Sequence, residues 1–131
     1  MERKTILSGS PFEQKVGFAR AVRIGNHICV SGTAPITDDG KSACVGDAYG
    51  QTKRCLEIIK TAIEKAGATI ESVVRTRIFL TDIDKWEEVA RAHQEMFNDI
   101  KPTSTLLEVT KLIKPEWIVE IEAECIIEEN K

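Results

Sequence analysis

The stretch Trp117-Ile118-Val119-Glu120-Ile121-Glu122-Ala123-Glu124-Cys125-Ile126-Ile127 decides how this chain folds. Side chains on a strand alternate between two faces. Val119, Ile121, Ala123 and Cys125 therefore share one face, and Glu120, Glu122 and Glu124 share the other. The apolar face marks a half-buried strand. The acidic face needs a partner, because like charges two residues apart repel more strongly once water is excluded. It either faces solvent or meets cations, another subunit or a ligand.

The candidate cations lie upstream. Val73 to Leu80 has strand character, with Val74, Thr76, Ile78 and Leu80 suited to a helix-covered face. Arg75, Arg77 and Phe79 then join the three glutamates on the far side. Between the strands come two amphipathic segments. In Asp47 to Ala66, residues Ala48, Thr52, Cys55, Leu56, Ile59, Ile63 and Ala66 recur at helical steps, and Gly67 follows as a stop. Asp84-Lys85-Trp86-Glu87 has the form of a capping box. It opens a second helix to about Phe97, with a stripe of Trp86, Val89, Ala90, His93, Met96 and Phe97. Lys101-Pro102 ends that segment.

Residues 3–7 read as a short first strand, stopped by Ser8-Gly9-Ser10-Pro11. Phe18 to Ile24, the turn Gly25-Asn26 and Ile28 to Ser31 form a hairpin. Thr105 to Val109 and Trp117 to Ile127 are the last strands. Two helices cover only one face of about six strands, so the expected class is α+β with both helices on the same side. The bare face suits an oligomer interface or open solvent.

The 131 residues suit one domain, 1–131. No apolar run approaches the roughly 20 residues of a membrane span, and Met1 to Leu7 has no signal-peptide core, which points to the cytoplasm. Net charge is −3 with no basic stripe, which disfavours nucleic acid as a partner. Cys29, Cys44, Cys55 and Cys125 form no C-x-x-C pair and have no His at metal-ligand spacing. They read as free thiols, mostly small core residues, with no metal and no cofactor implied. His93 reads as a packed helix residue, His27 as a solvated turn residue and Trp117 as a rim residue.

Several segments together resemble one family. Gly17 to Asn26 with Val30-Ser31-Gly32 is similar to its N-terminal hairpin, and Gln51-Thr52 to the opening of its first helix. Val73 to Asp82 resembles its central strand. Pro102 to Val109 and Val119 to Ala123 resemble its C-terminal signature. This is the RidA/YjgF group of reactive-imine deaminases, also catalogued as endoribonuclease L-PSP. The resemblance implies a chorismate-mutase-like fold, a homotrimer whose sheets form a central barrel, and ligand pockets between subunits. It also implies hydrolysis of small enamines and imines to oxo compounds and ammonia.

Carried over residue by residue, the resemblance makes Glu120 the cleft glutamate that holds water. Gly32, Thr105 and Leu106 fall at ligand-contacting positions, and Phe18 and Phe79 at the pocket wall. Ser104 stands where the family has a carboxylate-binding arginine. A charge-assisted hydrogen bond contributes about 1.5–3 kcal/mol, so its loss weakens a carboxylate ligand roughly 10- to 150-fold. Phe18 replaces a tyrosine, and Arg20 adds a cation near the cleft. Arg20 either replaces the missing arginine, recognises a different anion, or belongs to a surface or interface salt bridge. These departures leave two main readings, an imine hydrolase and a non-catalytic ligand-binding or interaction protein. A ribonuclease is the least supported, since no basic stripe, paired histidines or interleaved aromatics are present.

Overall fold

A computed structural model describes residues 2–129. Six strands form one sheet: β1 (Arg3–Ile6), β2 (Ala21–Ile24), β3 (His27–Thr33), β4 (Val73–Leu80), β5 (Thr103–Glu108) and β6 (Val119–Ile126). Their spatial order is β1-β2-β3-β6-β4-β5. All pairs are antiparallel except β4 with β5, which are parallel. The helices are α1 (Pro11–Val16), α2 (Ala48–Lys65) and α3 (Trp86–Phe97).

The alternation in β6 is realised as read. Val119, Ile121, Ala123 and Cys125 are buried, and the glutamates between them are half-buried. Against the buried face lies α2, anchored by Cys55, Leu56, Ile59 and Ile63. Val89 and Phe97 of α3 complete that core. Fully burying such a side chain contributes about 1.5–3 kcal/mol. Asp47 caps α2 by accepting from the Gly50 N–H at 3.0 Å. The buried Gln51 then ties α2 to the approach of β6: its amide donates to the Glu116 carbonyl at 3.0 Å and accepts from the Ile118 N–H at 2.8 Å. The β2–β3 hairpin turns through Gly25, whose φ of +59° suits the first central position of a two-residue loop.

Five local expectations need correction. Val74 is 39% exposed and Val73 is buried, because β4 carries a bulge between Val73 and Arg75 that flips one residue. The Asp84 capping box does not form. A 3₁₀ turn at Ile83–Lys85 precedes α3, Asp82 caps that turn, and Lys85 at the α3 N-cap makes no side-chain cap bond. Trp86 is 50% exposed rather than packed, and Ala92 joins the buried stripe instead. Residues 11–16 form a short helix after the Ser10 cap, where only a strand-breaking loop was expected. Cys29 and Cys44 are exposed, so only Cys55 and Cys125 are core residues. Burial pushes the Cys125 thiol up to about 11 and the Cys55 thiol higher, so both remain protonated packing groups.

Candidate functional site

The bare sheet face orders its charges by register. Arg75 lies opposite Glu124, Arg77 opposite Glu122, and Phe79 opposite Glu120. The first two pairs close as ion pairs, each at 2.6 Å. Facing a phenyl ring, Glu120 has no ion-pair partner among the described residues.

On its other side Glu120 meets β3, whose ladder with β6 shifts register between Val30 and Thr33. That irregularity brings Gly32 against the carboxylate. A Cβ at Gly32 would lie 2.5 Å from Glu120 Oε2, so only glycine leaves room for the group where it stands. Burial raises the Glu120 carboxyl above the usual range. The Arg20 charge opposes this, and the Glu122 charge adds to it. The result is a half-buried, unpaired carboxylate with proton affinity above normal.

Glu120 opens onto a cleft of about 910 Å³, lined also by Phe18, Arg20, Ser31, Gly32 and Trp117. Arg20 is only 4% exposed. Its Nη1 donates to the Gly32 carbonyl at 2.8 Å and to Thr33 Oγ1 at 3.1 Å. Its Nε and Nη2 both reach Glu13 Oε2 at 3.2 Å. The guanidinium carbon also sits 5.4 Å from the Phe18 ring centre. Burial works against the Glu13 charge. Hydrogen bonds from the Ser8 hydroxyl and N–H, together with Arg20, outweigh it and hold that carboxyl below the usual range. Most of the Arg20 donors are thus committed to the protein, and its charge is balanced internally. Arg20 does form a salt bridge, but a buried one within the chain rather than the surface or interface pair expected.

The remaining predicted residues lie elsewhere. Ser104, Thr105 and Leu106 are on β5 at the sheet edge, separated from β6 by β4. Thr105 pairs with Arg77 and so belongs to the charged face, whereas Ser104 pairs with Thr76 on the helix side. The Thr76 hydroxyl donates to Ser104 Oγ at 2.8 Å and meets His93 Nε2 at 2.9 Å. His93 stacks on Phe97 with ring centres 4.7 Å apart, and burial lowers its pKa. Within one chain, then, Phe18, Arg20, Gly32 and Glu120 converge on the cleft. Phe79 flanks Glu120 from β4, and the three β5 residues do not reach the cleft.

Sequence reasoning missed two features. Glu13, the partner of Arg20, lies on the unexpected helix α1 and carries no motif. His27 is not a free turn residue. It begins β3, and its Nε2 lies 2.6 Å from Glu124 Oε2 and 3.7 Å from Cys29 Sγ. The sequence reading places His27 in the turn and finds no His at metal-ligand spacing to a cysteine; its place on one strand face with Cys29, opposite Glu124, requires the true start of β3 and the β3–β6 register.

Comparison with known proteins matches this frame. The family model described as Endoribonuclease L-PSP matches residues 10–127. A protein of Streptomyces coelicolor, described as uncharacterized protein SCO2049, is 40% identical over 121 residues, covering 92% of this chain and 90% of its own. The RutC family protein PYRAB12510 of Pyrococcus abyssi is 34% identical over 106 residues, covering 81% and 83%. The crystal structure of Rv2704 from Mycobacterium tuberculosis, described as a member of the YjgF/YER057c/UK114 family, superposes with a TM-score of 0.87 at 44% identity. That superposition covers 96% of this chain and 100% of the other. With its six-stranded mixed sheet, its two long helices on one face and a match across nearly its whole length, this chain belongs to the endoribonuclease L-PSP family, the YjgF/UK114 or Rid group.

Proposed function

We propose that this protein is a Rid-type small-molecule-binding homotrimer that hydrolyses small enamines or imines in pockets between its subunits. The observation that carries this reading is Glu120, a half-buried carboxylate with raised proton affinity, no ion-pair partner among the described residues and an open cleft before it. Such a group is suited to hold and deprotonate a water. Water adds to the C=N carbon, and the nitrogen takes up protons. The resulting amino-alcohol collapses to a C=O group and ammonia, so that imine plus water becomes oxo compound plus ammonia.

The topology supports an intersubunit placement. Glu120 and the β5 residues are kept apart within one chain by β4. A site built from both needs the exposed β5 edge of a neighbouring copy to close over the Glu120 cleft. Thr105 and the Leu106 N–H then supply uncharged hydrogen-bonding groups. A substrate whose anchor is neutral suits this lining better than a free carboxylate, since Ser104 is uncharged and Arg20 is balanced by Glu13. The same two features favour the second reading, a ligand-binding protein without turnover.

The deciding experiment measures ammonia release from enzymatically generated imines. One imine carries a carboxylate and the other a neutral group, and wild type is compared with Glu120→Ala. Turnover of the neutral imine, lost in Glu120→Ala, supports the hydrolase. Rates for both imines equal to buffer, together with saturable binding of the oxo product, support the binding protein instead.

A further inference from the structure

We propose that His27, Cys29 and Glu124 form a binding site for a divalent cation of borderline softness, zinc above all, on the charged face of the sheet. This site is independent of the cleft. It rests on the register of β3 and β6.

His27 and Cys29 are two residues apart on β3 and so project to the same face. Cys29 lies directly opposite Glu124 on β6. One nitrogen, one sulfur and one carboxylate oxygen thereby fall within 4.8 Å of one another, the one such grouping among the described residues.

The distances suit a small tetrahedral ion. Zinc binds nitrogen and oxygen at about 2.0–2.1 Å and sulfur at about 2.3 Å. Tetrahedral angles then put nitrogen and sulfur roughly 3.5 Å apart and nitrogen and oxygen roughly 3.3 Å apart. Cys29 Sγ is already 3.7 Å from His27 Nε2. The 2.6 Å His27–Glu124 hydrogen bond would open by about 0.7 Å as the ion takes its place.

The surroundings fit as well. Arg75 donates to Glu124 Oε1 only, from Nε at 3.2 Å and Nη2 at 2.6 Å. It fixes the carboxylate from behind and leaves Oε2 for the ion, the kind of support that bound carboxylates commonly have. A thiolate and a carboxylate neutralise a dication. Three protein ligands with a half-exposed histidine leave a fourth position open to water or an anion, as in zinc sites that act on ligands. Nitrogen and sulfur donors exclude magnesium and calcium as the preferred ions.

The test uses the whole protein in its native assembly, loaded with Zn2+ or with Co2+ as a spectroscopic probe. One equivalent of Zn2+ should remain per chain after dialysis against metal-free buffer. The Co2+ form should show a thiolate charge-transfer band. Cys29→Ser should abolish the band, and His27→Ala and Glu124→Gln should each weaken Zn2+ binding at least about 10-fold. Cys44→Ser, which alters the other exposed thiol, should change neither readout. Within one chain His27 and Cys29 are exposed and Glu124 is half-buried, outside the hydrophobic core. Should a variant nonetheless misfold, a thiolate band retained in Cys44→Ser still assigns the sulfur to Cys29, because Cys55 and Cys125 are buried. Failure to retain an equivalent of Zn2+, wild-type affinity in Cys29→Ser and His27→Ala, or loss of the band in Cys44→Ser would each overturn the proposal.

Discussion

Replacing Gly32 with alanine tests whether glycine is there to admit the Glu120 carboxylate. The new Cβ would lie 2.5 Å from Oε2 and 3.4 Å from Cδ, and ordinary contact begins near 3.4 Å. The oxygen must therefore retreat by about 0.9 Å. It is the far end of a flexible side chain, so the fold should yield cheaply. A forced off-rotamer torsion costs about 0.5–1.5 kcal/mol, which in a domain of this size lowers Tm by only a few degrees. Function should respond far more. A misplacement of about 1 Å at a reacting group can cost roughly 100-fold in rate. Carboxyl NMR titration reads the geometry independently of any substrate. Wild-type Glu120 should titrate above the usual carboxylate range because of burial, and in Gly32→Ala it should move back toward that range as the group swings toward water. An unchanged Glu120 titration with unchanged turnover or ligand affinity would refute the account. So would global destabilisation of several kcal/mol, because the clash would then have fallen on the backbone.

The buried Glu13–Arg20 pair should dominate the acid limb of stability. Glu13→Gln leaves an uncompensated buried guanidinium and should cost about 3–5 kcal/mol at neutral pH, read by urea denaturation. The Glu13 carboxyl is depressed in the folded state. Its contribution is therefore present above the ordinary glutamate range and lost as pH falls through the folded value, and the variant's profile should be flatter over that interval. Leu107 lies beside Phe79 on the charged sheet face and is 38% exposed. Leu107→Asp should convert the proposed trimer to monomers in sedimentation velocity while leaving far-UV circular dichroism unchanged. A stable wild-type monomer would remove the intersubunit pocket altogether.

The strands and long helices were legible because their periodicities are local. The alternation of β6 and the stripe of α2 need no knowledge of the rest of the chain. What escaped depended on partners distant in sequence. The β4 bulge exchanges Val74 for Val73, and nothing in the local pattern separates two adjacent valines. Helix α1 is six residues long, too short for a stripe, and the proline at its start reads equally well as a breaker. At the site, Glu120 was visible through its place in the acidic alternation, and Gly32 through resemblance. Their mutual dependence was not visible, since a close approach between two strands leaves no trace in either. Arg20 was visible as a cation near the cleft, while the acid that occupies it sits seven residues back on α1.

The strand order has a consequence for how the sheet comes into being. β6 is the last strand in the sequence, yet it lies in the middle of the sheet, between β3 and β4. Until it emerges from the ribosome, the β1–β2–β3 meander and the β4–β5 pair have no shared hydrogen bonds, and each offers an unpaired inner edge. Cooperative closure therefore waits for β6. Any delay there leaves two sticky half-sheets waiting for the same missing piece.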